Sequence, residues 1–554
     1  MDIGALQAKE TVLQCPNDRL VFTSTQLRAL APEGGTYGFD VIVHVGMSLF
    51  VHCRNEREIM QDLASRNIFI SEREIGYLGR KFVIYLALAH QDSRDQLVSL
   101  MAKRGGYILH VDGTCEGDSP HLFSGLDGIS EIVLDNIKIP SEKKKLLIPF
   151  FQRIKEQYGD PVALVHDMGI GIIKAIEKVF ADVADFICHF HFLRDVGKDL
   201  LLQDYQSIIK HLRKHNVRQL LKQKARYLEK KIGQDLQTIA ELKSSLKNSR
   251  LETACIEHIP ALSTYSLIHW AFESHSKSRG YGFPFDRPHL EFYQRLRIIY
   301  RLIGNIMHIR LRDKATDNRS FVQVHKLLKE VLGDKELNQS AVAMQSKAKV
   351  FDKLREALRI ALPEGKKGLN DDGDETDIKT IEEKVAAFRQ LLTSNKKRKE
   401  TYQKMIEQLE KYWEKLFADP IVVNTPQGQR IIVPQRTNNI LERFFRGEKR
   451  RSRKKSGTAS LNKTLKAILA DTPLVRNLEN DEYYKIILNG CATLDERFAQ
   501  IDDKTAREKL KQAGKNQEKI SPELKSIIKQ VDLPEKISAL FLGDSKIDAN
   551  CYLR

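Results

Sequence analysis

Two aspartates sit where an ionised side chain is costly. Asp112 interrupts the apolar run Tyr107-Ile108-Leu109-His110-Val111, and Asp167 ends the run Val162-Ala163-Leu164-Val165-His166, with Gly169 and Gly171 close behind. A carboxylate inside an apolar strand has to be paired, hydrogen-bonded or bound to a cation. Carboxylates gathered in this way can hold two Mg²⁺ ions about 4 Å apart, which steady the entering and leaving oxygens of a phosphoryl transfer. Mg²⁺ suits that role because it prefers hard oxygen ligands and keeps exchangeable waters. Asp167 also has a plainer reading, since an Asp at a strand end can cap the helix that follows, here GIIKAIEKVF.

The elements that would position these acids follow from periodicity. YILHVDGT (107–114), SPHLFSGLDG (119–128) and EIVLDNIKI (131–139) read as three strands separated by turn-rich pieces. Ser141 opens a helix, SEKKKLLIPFFQRIKEQYG, that ends at Gly159; PVALVHD is a fourth strand, GIIKAIEKVF a second helix and DFICHFHF a fifth strand. Three strands, helix, strand, helix, strand is the succession of an α/β RNase H-like fold. In such a sheet the first and fourth strands are neighbours, which would bring Asp112 and Asp167 together.

Around this core the pattern changes. Residues 1–50 are mixed, with β-like alternation in FDVIVHVGMSLFVH (39–52). Residues 51–100 carry a helix over Glu56–Arg66, a short NIFIS connection and a second helix after Ser71 as N-cap. This pair fits a helix-turn-helix DNA reader or an ordinary helical hairpin packing a core. The first part of the core spans 105–195, and strand signals then nearly vanish over 196–430, where segments such as IKTIEEKVAAFRQLL are amphipathic helices. Gly365–Asp377 (GKKGLNDDGDETD) reads as an exposed loop and 421–434 as a short β-like stretch. The core is expected to resume over 431–470, followed by a helical C-terminal region over 471–554.

Taken together, HVDGTCEGDSPHLFSGLDG, VALVHDMGIGIIKAIEKVFADVADFICHFHFLRDV and TNNILERFFRGEKRRSRKKSG resemble the DDE transposase core of Mutator-like and related bacterial insertion-sequence families, over roughly residues 50–470. In those families a helix, a strand and a Cys-x-x-His element follow the second acid, matched here by Cys188-His189-Phe190-His191. The third acid lies on a helix introduced by an Asn-x-x-Glu-like stretch, matched by Asn439-Ile440-Leu441-Glu442. The resemblance therefore implies Asp112, Asp167 and Glu442 as catalytic ligands of two Mg²⁺ ions, with Mn²⁺ as substitute. It implies cleavage of transposon ends and strand transfer into target double-stranded DNA by a homodimer or larger assembly. A bacterial, nucleoid-associated cytoplasmic setting goes with it. Asp112 and Asp167 are 55 residues apart and Asp167 and Glu442 are 275 apart, a gap that fits a large all-helical insertion. Asn439 and Glu442 also have the spacing of a capping box, and Glu448 is the nearest rival acid.

Cys188 and His191 supply half of a tetrahedral zinc site, and no partner pair is obvious, so a packed, hydrogen-bonded role beside the acids is the expectation. Some relatives carry an N-terminal zinc ribbon, whereas this chain has only Cys15 and Cys53 in that region. After Glu442 come Arg443, Arg446, Lys449, Arg450, Arg451, Arg453, Lys454 and Lys455, dense enough to neutralise several phosphates, or else a solvated or import-type run. Trp270 could stack on an unpaired base or belong to the core.

Composition agrees with a nucleic-acid partner. Ninety Lys and Arg against 73 Asp and Glu leave a net charge of +17 over 554 residues, which attracts polyanions. Hydrophobic residues at 42% allow a sizeable core. Seven scattered cysteines argue for a reducing compartment rather than a disulfide framework. MDIGALQAKE lacks the pattern of a signal peptide, and the longest apolar run, Phe82–Ala89, is too short for a membrane span. Two neighbouring readings use the same residues: a structure-selective nuclease without strand transfer, and a transposase-derived DNA-binding regulator.

Overall fold

A computed structural model describes residues 7–232, 236–248, 259–274, 280–310, 318–362 and 377–515, together with Gln530 and Leu533. The chain divides into two compact units, residues 1–97 with 451–554, and residues 98–450. The predicted loop at 365–376 and most of the chain beyond 515 lie outside the described residues. No described helix is long and apolar enough to cross a membrane.

In the first unit, the stretch expected to alternate as a strand is helical: α1 spans Phe39–Gly46 and continues as a π-helical turn over Met47–Val51. The β-branched residues gave a strand signal, but Ile42, Val45 and Leu49 also recur at helical spacing and are buried. Packing decides the matter, since Gly46 lies flat against the Phe82 ring, where a Cβ would come within 2.0 Å. α2 (Glu56–Ser65) starts with the capping box of Asn55 and Glu58, and α3 (Glu72–Asp92) with Ser71 accepting from Glu74 N at 3.2 Å. From Ile75 to His90, α3 is the buried centre of this unit, covered by α1 and by helices at 494–499 and 503–515. Its exposed residues are Glu72 and Arg73 in the first turn, Arg80 midway, and Gln91 and Asp92 at the end. The described C-terminal residues are helical, over Thr472–Glu479, Asp481–Leu488, Leu494–Ala499 and Asp503–Lys515.

The second unit is mixed α/β. Its five strands are β1 (Ile108–Thr114), β2 (His121–Asp127), β3 (Val133–Ile139), β4 (Ala163–His166) and β5 (Asp185–Ile187), in the order β3-β2-β1-β4-β5. The first three form an antiparallel meander; β4 runs parallel to β1, and β5 parallel to β4. Two helices, α4 (Lys144–Tyr158) and α5 (Ile170–Val179), fall between the strands as the periodicity predicts. α4 covers the sheet face that carries Phe123, whose ring meets Phe150 edge-on at 5.2 Å.

The fifth strand is shorter than DFICHFHF suggests. β4 ends at His166, whose carbonyl accepts from Cys188 N at 2.8 Å, so the ladder has no further partner beyond Ile187. Cys188 instead becomes the N-cap of α6 (His189–Lys214). From α6 to Leu416 the described residues are almost entirely helical, including α7 (Pro288–Arg310) and α8 (Lys335–Leu358). A hairpin over Ile421–Thr425 and Gly428–Ile432 precedes α9 (Asn439–Ser456).

Candidate active site

β1 places Asp112 on the sheet face opposite α4, the face that also carries His110. The Asp112 Oδ1 atom accepts only from the next backbone N–H, that of Gly113, at 2.8 Å. Burial raises the Asp112 carboxyl well above the ordinary carboxylate range, and the charges of Asp167, Glu442 and Glu142 raise it further. Strand order thus brings Asp112 and Asp167 into one electrostatic neighbourhood, and α9 adds Glu442.

Asp167 follows directly on β4, and its Oδ1 accepts from Gly169 N at 2.9 Å. That is a local turn two residues long, not a helix cap: the N-cap of α5 is Gly169, without a side-chain bond. The preceding His166 is held on both ring nitrogens, by the Asp167 carbonyl at 2.6 Å and by Asp185 Oδ2 at 3.0 Å. Lys415 closes this chain on Asp185 at 2.5 Å.

α9 is tied down by Asn438, a residue that the sequence reading passed over in favour of Asn439. Asn438 is fully buried. Its Oδ1 lies 2.9 Å from His110 Nδ1, its Nδ2 donates to Val111 O at 2.9 Å, and its backbone N–H reaches Cys188 Sγ at 3.2 Å. Burial lowers His110 to about 4, so the ring is neutral and Nδ1–H donates to the amide oxygen. Glu442 N then donates to Asn438 O at 3.1 Å, setting Glu442 in the first turn of α9.

Glu142 is the second residue the sequence did not single out. It precedes α4, bonds His121 Nδ1 at 2.9 Å, and lies against Gly113 of β1 and Gly171 of α5. A Cβ on Gly113 would fall 2.3 Å from Glu142 Oε1, and one on Gly171 only 1.9 Å from the Glu142 carbonyl oxygen. At Gly171 the obstacle is backbone and cannot yield, whereas at Gly113 it is the end of the Glu142 side chain, which can swing aside.

Cys188 and His191 flank the acids. Burial pushes the Cys188 thiol up to about 12, with Glu442 adding to the effect, and lowers His191 to about 4, with Arg194 acting in the same direction and Asp167 against it. Both are buried, and His191 Nδ1, expected to be hydrogen-bonded, has no partner among the described residues. Asp195, one turn beyond His191, also feels Asp167, and burial is the first cause that raises it. On β2 and β3, Ser124 and Asn136 stand in register with Asp112 and share its face. Ser124 Oγ and both polar atoms of the Asn136 side chain are buried with no hydrogen-bond partner among the described residues. This row gives Asp112 neighbours able to donate or accept hydrogen bonds. Among the described residues, no three His, Cys, Asp or Glu side chains are held at the spacing of a metal-ligand group.

The basic residues after Glu442 separate into two sets. Arg451 bonds Glu479, and Lys455 bonds Glu56 at 2.8 Å, so these two hold elements of the first unit together. Lys454 reaches the His52 carbonyl at 3.5 Å. Arg443 lies 3.3 Å from Glu131 and Lys449 3.9 Å from Glu116, both largely exposed. Arg450 and Arg453 are exposed and have no acidic partner among the described residues. Helical spacing puts Glu442, Arg446, Lys449 and Arg453 on one stripe, with Arg443 and Arg450 beside it. Trp270, 38% exposed, has Arg295 over its ring at 4.8 Å and lies among the helices after β5. Its described contacts do not include the acidic residues.

Compared with known proteins, the sequence matches no family model and no curated relative.

Proposed function

We propose that the chain is a DDE-type transposase, a metal-dependent DNA phosphoryltransferase whose carboxylates are Asp112, Asp167 and Glu442. The observation that carries this reading is the buried Asp112, whose carboxyl is raised first by burial and then by the charges of Asp167, Glu442 and Glu142, with acids gathered from a strand, a strand end and a helix start. The sheet order, with β1 and β4 adjacent, supports an RNase H-like core for the second unit. The long helical stretch between β5 and the hairpin supports a helical insertion.

The oxygen donors are of the type a hard divalent cation prefers. Among the described residues no three of them stand at metal-ligand spacing, so binding would have to draw the carboxylates together. A buried carboxyl with three like-charged neighbours and no opposing cation is unfavourable in its ionised form, and an oxygen-binding ion reverses that balance. Asp112, Asp167 and Glu442 would hold Mg²⁺, or Mn²⁺ in its place, with Glu142 at the edge of the set. When bound, the metal supplies charge stabilisation at the entering and leaving oxygens of the phosphate. The protein's own part is positioning. Asn438 fixes Glu442 relative to β1, and the Lys415–Asp185–His166 chain fixes the backbone at Asp167. Arg446, Arg450 and Arg453 on the Glu442 side of α9 would take DNA phosphates. Transposon-end and target double-stranded DNA are the substrates on this reading, and two ends require a dimer or larger assembly. The setting is the bacterial nucleoid.

A hydrolytic nuclease with the same core is the second reading, favoured by Glu142 as a fourth acid beside the three. The experiment that separates them uses purified protein, Mg²⁺ and a labelled element-end duplex with plasmid target. A joined product that disappears in Asp112→Asn supports the transposase. Cleavage without joining selects the nuclease, and activity retained in Asp112→Asn sinks both.

A further inference from the structure

Away from the acidic residues, the helices after β5 enclose a cavity of about 450 Å³. Its walls come from the loop before α7 and from α8, where Lys349, Asp352 and Arg355 recur every three residues and so share a face. Three acids line it, and each already has a partner. Asp352 takes the Arg287 guanidinium with both oxygens, at 3.1 and 2.6 Å. Glu291 accepts from Arg295 at 2.5 Å. Asp286 accepts the backbone N–H of Gly280 and Gly282, at 3.1 and 3.0 Å.

Arg355 is different. It is only 5% exposed, yet its single hydrogen bond among the described residues is a long one from Nε to Ile360 O, at 3.4 Å. The guanidinium is held against the rings of Phe285 and Tyr281, at 5.4 and 5.9 Å. Its terminal nitrogens thus have no acceptor among the described residues. Arg355 lines the cavity, and a guanidinium facing it without a protein acceptor offers a planar fork that matches the oxygens of an oxyanion. Burial lowers the Arg355 guanidinium from its ordinary value, with Asp352 opposing, a balance that a bound anion would shift back.

We propose that this cavity is a phosphomonoester site in which Arg355 holds the phosphate as a bidentate anchor and Lys349 supplies the second charge. Lys349 and Arg355 have no ion-pair partner among the described residues, while Asp286 is held by backbone N–H groups alone; a phosphate, with three oxygens to share, can engage both cations at once. The volume exceeds that of a single oxyanion and lies within the range of small-ligand pockets, so the occupant is of nucleotide size. Either a free nucleoside monophosphate or the 5′-phosphate end of a DNA strand presents this chemistry. The site rests on the helical region alone and stands whatever the acidic residues do.

The test is isothermal titration of the full-length protein with inorganic phosphate, deoxyadenosine, its 5′-monophosphate, and a short single strand with or without a 5′-phosphate. The 5′-monophosphate binds and deoxyadenosine does not. Arg355→Met weakens binding by about tenfold or more and Lys349→Ala by about threefold, in line with loss of charge-assisted bonds. Circular dichroism checks that Arg355→Met is folded; if it is not, the exposed Lys349 decides. Competition between the monophosphate and the 5′-phosphorylated strand assigns the source. Equal binding of deoxyadenosine and its monophosphate overturns the proposal. So does the absence of any phosphate-dependent heat, or binding unchanged by loss of Lys349 and Arg355. Inorganic phosphate binding as tightly as the monophosphate overturns the nucleotide-sized occupant.

Discussion

Asn438 Oδ1 lies 2.9 Å from His110 Nδ1, so the residue that precedes α9 is bonded to the strand two positions before Asp112. The same side chain donates to the Val111 carbonyl at 2.9 Å. One buried amide therefore sets the distance between the strand that carries Asp112 and the helix that carries Glu442.

Asn438→Ala leaves the His110 donor and the Val111 acceptor buried without partners. Each such group costs about 1–3 kcal/mol, so urea unfolding should report a loss of about 2–6 kcal/mol in all. Asn438→Asp keeps the acceptor for His110 but loses the donor to Val111, and should fall between wild type and Asn438→Ala. Metal-dependent activity should drop further than the folded fraction does. Equal losses of both would reduce Asn438 to a stability residue.

Asp112 should make the metal-free protein less stable as pH rises. Its folded-state pKa lies above the ordinary 3.8, so its favourable protonated form is fully present below that pH and is lost on passing upward through the folded value. Asp112→Asn removes the penalty and should unfold at a higher temperature than wild type at pH 7, with the difference closing near pH 4. Millimolar Mg²⁺ should raise the melting temperature of wild type and leave Asp112→Asn unmoved, because only an ionised carboxylate gains from the ion. A mutant that melts lower than wild type at pH 7 without metal would contradict the electrostatic account.

The buried histidines act with the opposite sign. His110 and His191 are lowered to about 4 and His189 to about 3, each chiefly by burial. The unfolded chain binds these protons from about pH 6.5 downward while the folded chain resists them. Their stabilisation is therefore present above pH 6.5 and is lost as pH falls through 4. In the Asp112→Asn background, where the acid's contribution is gone, urea midpoints should fall steadily across that window. A flat profile there would mean that the three rings titrate normally.

The strand pattern made the sheet legible because its three meander strands and the helix between β3 and β4 are long enough to show their periods. The acids on β1 and β4 could be paired from strand order alone. Other features were hidden for physical reasons. Phe39–Gly46 fits both the strand and the helix period, and only the close approach of Gly46 to Phe82 selects the helix. Cys188 ends β5 early because β4 stops at His166, a constraint that lies on another strand. Asn438 and Glu142 act across gaps of 328 and 29 residues from their partners His110 and Gly113, spacing that no local pattern encodes. Asn438 does have a trace in the sequence, the doubled Asn438-Asn439 before an amphipathic helix, where capping spacing to Glu442 fits only the second of the two.

Gly171→Ala tests the seat of Glu142. A methyl group at 171 would lie 1.9 Å from the Glu142 carbonyl oxygen, and backbone cannot swing aside as a long side chain can. Overpacking of this kind costs about 1–3 kcal/mol. Thermal unfolding should show that loss, while Gly447→Ala, with open space around its position, should show none or a small gain. If Gly171→Ala is neutral, the Glu142 loop is not pressed against α5.

The exposed arginines of α9 should bind DNA and the engaged ones should not. Arg450 and Arg453 have no acidic partner among the described residues, whereas Arg451 and Lys455 are tied to Glu479 and Glu56. Each phosphate contact releases counterions and contributes close to one unit to the slope of log K against log salt. Arg450→Gln and Arg453→Gln should each weaken duplex binding and flatten that slope by about one unit, with little change in melting temperature. Arg451→Gln should lower the melting temperature and leave the salt slope within error. The contrast is the useful measurement, because a general loss of positive charge would affect all three variants alike, while a phosphate-binding stripe beside Glu442 affects only the first two.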